Sequence, residues 1–179
     1  MQASYSKFSS RLSGPPGKAH FVGIGGVGMA GLAFMMKKRG WEVSGCDAVD
    51  NPLLDWLESH GVVVQRENAP GHLMRFDSAD DVVVRTPAVP MSSPELLDAS
   101  ENGFAIFDRG VAFAALSAQF DTLAVCGTHG KTTTTCFLAG ILRILAPEKT
   151  SWAIGGLSPL LGAVAGGPGL AAGAGRGFL

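Results

Sequence analysis

Little of this 179-residue chain is charged: Asp, Glu, Lys and Arg make up 16%, with a formal net charge of −1. Without clustered Lys and Arg there is no electrostatic case for a nucleic-acid partner. Cysteine is scarce as well. Cys46, Cys126 and Cys136 form no C-x-x-C pair, and an odd number does not make a disulfide framework, so they read as buried or half-buried thiols of a reducing compartment. No stretch reaches the ~20 apolar residues of a membrane helix, so no membrane partner is expected. Residues 1–17, MQASYSKFSSRLSGPPG, lack the apolar centre of a signal peptide. Polar, Ser-rich and closed by Pro-Pro-Gly, they predict a flexible N-terminal arm. The expected setting is cytoplasmic.

What the chain does hold is apolar material and glycine. A hydrophobic content of 46% is enough for a core, and the length allows one full domain plus a small or partial second. From Lys18 short apolar runs alternate with segments of helical spacing, which predicts an α/β fold of parallel strands and crossover helices. Strands are expected at 19–24, 42–46, 62–64 and 81–85, with further candidates at 105–107 and 123–126. Helices are expected from Met29 to a stop at Gly40, over 53–60, over 93–101 with Ser93 as N-cap, and over 131–145. The last would gather Phe137, Leu138, Ile141, Leu142 and Leu145 on one face. Residues 155–177 are dominated by Gly and Ala and offer little to bury. A boundary between two units is expected near 117–121.

Two glycine-rich loops stand out. In HFVGIGGVGMAGLA (20–33), Gly23, Gly25 and Gly28 satisfy G-x-G-x-x-G directly after a strand and at a helix start. Missing β-carbons let the backbone approach a diphosphate, and the helix N-terminus favours negative charge. Asp47 ends the second strand about 20 residues on, where such folds place an acid against a ribose. Alone, this loop reads as a dinucleotide site with NAD as the usual ligand. Its structural alternative is that Gly26 and Gly31 are packing glycines and Asp47 a solvated acid. The second loop is AVCGTHGKTTTT (124–135), with Gly130-Lys131-Thr132 as the core of a P-loop: amides around phosphates, a lysine on their oxygens, a hydroxyl for magnesium. Val125 occupies the place of the usual first glycine. His129 within the loop reads as shaping the backbone more than as a general base. His20, His60 and His72 have no metal-ligand spacing and read as structural. Trp41, Trp56 and Trp152 read as packing residues, and Arg85 faces either the ligand cleft or solvent.

Two nucleotide loops of different type in one chain resemble the Mur ligase family, whose N-terminal domain holds the UDP of the substrate and whose central domain holds ATP. Gly127-Thr128-His129-Gly130-Lys131-Thr132-Thr133-Thr134 matches the family's G-T-x-G-K-T-[ST]-T loop, which also lacks the first glycine. Residues 20–31 and 42–47 are similar to the L-alanine-adding branch. The resemblance runs over residues 19–179 and implies a Rossmann-like UDP-sugar-binding domain at 18–118, followed by a truncated P-loop ATP-binding domain at 119–179.

The resemblance also implies roles. Gly25, Gly26 and Gly28 would face the UDP diphosphate, Asp47 the uridine end, and Thr86 the sugar nucleotide. Gly127, Thr128, His129, Gly130, Lys131, Thr132 and Thr133 would form the ATP loop, with Lys131 on the β- and γ-phosphates as the catalytic residue and Thr132 as a Mg2+ ligand. The implied reaction is ATP-dependent. The lactyl carboxylate of UDP-N-acetylmuramate attacks the γ-phosphate, and the amine of L-alanine displaces phosphate from the acyl phosphate. Some positions depart from the family pattern. Arg85 and Pro87 stand in place of a small aliphatic residue and a serine, and Val111 replaces the Glu of an R-x-E-type segment that keeps Arg109. The family continues past Leu179 into a carboxylate ligand for magnesium and an L-alanine site, so the chain is expected to be inactive alone. The competing readings are a tripeptide-adding murein recycling ligase, an NAD-dependent oxidoreductase and a non-catalytic UDP-sugar-binding module.

Overall fold

In the computed structural model, which describes residues 2–73 and 75–167, the apolar runs after Lys18 become five strands. They are β1 (Lys18–Val22), β2 (Glu42–Cys46), β3 (Val63–Gln65), β4 (Val82–Arg85) and β5 (Ala105–Asp108). All pair in parallel, in the order β3-β2-β1-β4-β5. Strands of a parallel sheet are covered on both faces and so read as unbroken apolar runs, as Val82, Val83 and Val84 do. The chain winds outward from β1 to β3, then returns to the other side of β1 with β4. That reversal opens a crevice at the carboxyl ends of β1 and β4, where ligands of such folds bind.

The helices are α1 (Gln2–Ser13), α2 (Val27–Lys38), α3 (Pro52–Ser59), α4 (Pro94–Glu101), α5 (Arg109–Ser117) and α6 (Lys131–Leu145). Eight consecutive residues of α2, Met29 to Met36, are buried. A helix apolar all round needs cover on every side, and α2 has the sheet on one side and a short antiparallel hairpin, β6 (Trp152–Ala153) with β7 (Ala165–Gly166), on another. Asn51 caps α3 by accepting from the Leu53 amide, and Pro52 opens it. Ser93 stands at the N-cap of α4 as expected, yet its hydroxyl makes no capping bond. Among the described residues, no helix is long and apolar enough to cross a membrane.

Four segments differ from the sequence expectation. Residues 2–13 are not a flexible arm but the helix α1. Phe8 is fully buried, its ring edge-on to Phe107 at 4.8 Å, and Arg11 donates to the Ala79 carbonyl and pairs with Asp80. Tyr5, Phe8 and Leu12 share one face among the serines, and that face packs on the main core. Residues 109–117 form a helix, α5, that burial of Ala112, Ala115 and Leu116 holds in place. Residues 123–126 are not a strand: the segment is largely exposed, Cys126 included where a buried or half-buried thiol was expected, and among the described residues no strand pairs with it. The Gly/Ala-rich stretch, expected to offer little to bury, is packed as far as residue 167: Leu161 joins Trp152 and Ile154 on Ala139 of α6, and Val164 and Ala165 are buried in the main core; residues 168–177 lie outside the described residues. The apolar face of α6 is split, with Leu138 and Leu142 on that small core but Phe137, Ile141 and Leu145 exposed.

Phe8→Ala should lower stability in urea by on the order of 3 kcal/mol, the usual cost of an emptied aromatic site. A loss below ~0.5 kcal/mol would mean that α1 is only loosely attached.

Candidate functional site

The first glycine loop leaves β1 at the crevice. Gly23 adopts φ +81°, a left-handed conformation that favours glycine. The amides of Gly23 and Ile24 both donate to the carbonyl of Cys46, tying the loop to the end of β2. Gly26 is the N-cap of α2 and supplies no side-chain acceptor, so the first amides of that helix have no side-chain cap. Asp47 accepts from the Gly25 amide through Oδ2 at 2.9 Å and from the Val49 amide through Oδ1 at 3.0 Å. Asp47 therefore organises the loop itself, and its carboxylate keeps lone pairs beyond these two bonds.

Thr86, at the end of β4, donates its amide to the Val22 carbonyl. It packs so closely on the loop that a β-carbon at Gly23 would stand 2.4 Å from its Cγ2. The space beside Gly25 is equally tight: a β-carbon there would lie 2.5 Å from Asn51 Nδ2 and 2.9 Å from Asp47 Oδ2. At Gly28 the same test meets the Arg109 guanidinium at 2.9 Å. The loop thus runs between Asn51 and Asp47 on one side and Arg109 on the other. Cavities of about 490 Å³ (Gly25, Asn51, Trp56) and about 260 Å³ (Gly28, Arg109, Ile154) flank it. Arg109 and Asn51 border the loop, and sequence reasoning did not single them out as candidates. Arg109 had one signal, its place in the R-x-E-type segment.

Arg85 points neither into this loop nor freely into solvent. It pairs with Asp108 at 2.7 Å and donates to the Val89 carbonyl, bracing the 86–89 turn against β5.

The second loop precedes α6. Gly127 and Gly130 have φ of +153° and +77°, and Gly130 is the helix N-cap. Lys131 Nζ donates to the carbonyls of Gly127 (2.6 Å) and Thr128 (3.0 Å), so the lysine arches over its own loop. Thr128, His129, Thr132 and Thr133 are exposed on the same helix end. A β-carbon on Gly156 would come within 3.3 Å of Thr132 Cγ2, which places the 155–157 turn beside the proposed magnesium ligand.

A parallel sheet with a glycine loop at its switch point, plus a separate Gly-Lys-Thr loop, defines an α/β protein of Rossmann-like architecture. Residues 18–121 match the model "Mur ligase family, catalytic domain", and the chain belongs to the Mur ligase family. It is 45% identical over 140 residues to the UDP-N-acetylmuramate–L-alanine ligase of Kineococcus radiotolerans, covering 78% of this chain and 29% of that protein. Among solved structures it is similar to the UDP-N-acetylmuramate-alanine ligase of Thermotoga maritima (TM-score 0.76, 28% identity), covering 90% of this chain and 36% of that one. It is equally similar to the UDP-N-acetylmuramate:L-alanyl-gamma-D-glutamyl-meso-diaminopimelate ligase of Neisseria meningitides (TM-score 0.76, 28% identity), covering 92% and 52%. The chain therefore spans about a third of the length of the curated relative that it matches.

Proposed function

We propose that this chain is the UDP-sugar-binding and ATP-loop portion of a ligase that joins L-alanine to UDP-N-acetylmuramate in peptidoglycan synthesis. The observation that carries the reading is the presence, in one chain, of a switch-point glycine loop and a G-T-x-G-K-T-[ST]-T loop. Residues 18–118 are assigned to the UDP-sugar and residues from 119 onward to ATP. An NAD-dependent oxidoreductase would leave residues 127–134 without a task, and so would a non-catalytic sugar-binding module.

In this reading the amides at the start of α2 and the Arg109 guanidinium take the UDP diphosphate between Gly25 and Gly28. Asp47 offers its remaining lone pairs to the uridine end, and Thr86 borders the sugar. A carboxylate is a poor electrophile, so phosphorylation supplies the leaving group that the amine displaces. Lys131 turns from Gly127 and Thr128 to the β- and γ-phosphates and stabilises charge on the transferring group. The exposed Thr132 hydroxyl in the first turn of α6 suits a magnesium ligand. Magnesium, when bound, neutralises phosphate charge. A cytoplasmic setting follows from the use of ATP and a UDP-sugar.

A second reading, the tripeptide-adding recycling ligase, is favoured by the equal likeness to the Neisseria meningitides structure. The two separate on the amine. In a chain extended to the length of the relatives, phosphate release from ATP with UDP-N-acetylmuramate should depend on L-alanine. Dependence on the tripeptide instead would replace the first reading by the second. Asp47→Ala should weaken UDP-N-acetylmuramate binding in calorimetry by about 1–3 kcal/mol, since a ligand donor loses its acceptor and the Gly25 amide its anchor. Unchanged affinity would remove Asp47 from the site.

A further inference from the structure

Behind the first glycine loop, four side chains from separate elements converge: His20 of β1, Cys46 at the end of β2, His72 in the turn after β3, and Glu95 in the first turn of α4. One donor atom of each lies within 4.8 Å of all the others. His20, Cys46 and Glu95 are fully buried, and His72 is nearly so. Glu95 Oε1 accepts from His20 Nε2 (2.6 Å) and His72 Nδ1 (3.0 Å), and Oε2 accepts from Cys46 Sγ (2.6 Å). The other nitrogen of His20 lies 2.8 Å from Ser44 Oγ. Sequence spacing reads His20 and His72 as structural residues with no metal-ligand spacing; only the fold joins them to Cys46 and Glu95.

We infer that His20, Cys46, His72 and Glu95 form a zinc site, with two imidazoles, a thiolate and a carboxylate as ligands. Three observations carry it. The donors are two N, one S and one O, the types that zinc takes in fourfold coordination at ~2.0–2.3 Å. Such bonds set ligand–ligand edges of roughly 3.3–3.8 Å. The short contacts around Glu95 open, and the 4.8 Å limit closes, each by about an ångström or less to reach this spacing. His20 already has the outer partner that a ligating histidine needs, because Ser44 Oγ can accept from Nδ1–H and fix the ring. Finally, the charges match. Zn2+ with one thiolate, one carboxylate and two neutral imidazoles is a neutral centre, which burial tolerates far better than an isolated charge.

Binding is a simple exchange. The thiol proton of Cys46 leaves to solvent, and the His20 proton shifts from Nε2 to Nδ1 and is accepted by Ser44. The His72 proton moves to its outer nitrogen, and Glu95 trades its three hydrogen bonds for a metal bond. Without metal, burial and the adjacent Glu95 carboxylate push the Cys46 thiol up. Burial alone would raise Glu95, but the hydrogen bonds it accepts from His20, Cys46 and His72 outweigh it and hold the carboxyl below its ordinary value. The same Cys46 gives its carbonyl to the amides of Gly23 and Ile24, and Asp47 follows it in the chain, so the centre would brace the first glycine loop from behind.

The test uses the 179-residue chain with the other two thiols removed by Cys126→Ser and Cys136→Ser, stripped with chelator and titrated with Zn2+ alone. One zinc per chain should survive desalting, and Co2+ in its place should give a thiolate charge-transfer band. Cys46→Ser, which keeps a donor to Glu95, should abolish that band and weaken zinc binding by about 100-fold or more, beyond the ~10–100-fold typical of losing an outer-shell partner. Should Cys46→Ser fail to fold, His72→Ala at the rim of the cluster provides the same affinity readout. Absence of retained zinc in the folded protein would overturn the inference, and so would equal retention in the ligand variants. The four residues would then be a metal-free hydrogen-bonded network.

Discussion

Lys131→Ala, placed in a chain extended to the length of its relatives, is expected to slow ligation by on the order of 10²–10³ or more, because a preorganised charge on the transferring phosphoryl group is lost. The structure puts this lysine where such a role is available. It is exposed at the first position of α6, and its ammonium is held by two loop carbonyls and, among the described residues, by no carboxylate. Phosphate oxygens can replace those carbonyls without an ion pair being broken. Because the side chain packs against nothing in the core, the variant should fold normally, and a circular dichroism spectrum like that of the parent accompanies the rate measurement. Turnover at the parent rate in Lys131→Ala would mean that residues 127–134 do not hold ATP.

The second large effect is expected at Gly23. Its φ of +81° costs a residue with a β-carbon about 1–2 kcal/mol. That carbon would also fall 2.4 Å from Thr86 Cγ2, and overpacking adds roughly 1–3 kcal/mol. Gly23→Ala should therefore lose about 2–5 kcal/mol in urea denaturation. The loop must shift to admit the methyl, and a displacement at the start of α2 misaligns the amides meant for the diphosphate. An affinity loss of about 100-fold for UDP-N-acetylmuramate, or about 2.7 kcal/mol, is expected. Thr86→Ser deletes the obstructing methyl, so the double variant should recover the steric part of the loss and keep the conformational part. A Gly23→Ala protein as stable as its parent, or no relief from Thr86→Ser, would contradict this account of the loop.

How much of this was legible in the sequence depends on how local each feature is. Strands β1, β2 and β4 lie within a residue or two of their expected limits, because a doubly covered parallel strand writes its burial directly as an apolar run. Gly23, Gly25, Gly28 and Asp47 were legible for a related reason. Turn conformation and helix start are short-range properties, and Asp47 needs only the neighbouring strand to reach Gly25. The segment 123–126 has the right composition for a strand, but a strand also needs a neighbour, which composition does not report. α1 was hidden because serines surround Tyr5, Phe8 and Leu12, and the Pro-Pro-Gly that reads as a flexible breaker follows a docked helix.

Around residues 155–167 small residues serve close packing instead of mobility. A β-carbon at Gly166 would lie 2.7 Å from the Trp152 ring, and Gly31 of α2 faces Val164 and Ala165. Arg109 and Asn51 come to the loop from distant parts of the sequence. Glu95 meets His20 across 75 positions. Pairings of that kind are made by the sheet order and carry no periodic trace.

The central claim is that the first glycine loop holds a UDP-sugar, and calorimetric titration of the 179-residue chain tests it most directly. UDP-N-acetylmuramate and UDP should bind, NAD should give no measurable heat, and Gly23→Ala should suppress the binding that is seen. Tight binding of NAD with no response to UDP or to UDP-N-acetylmuramate would contradict the account.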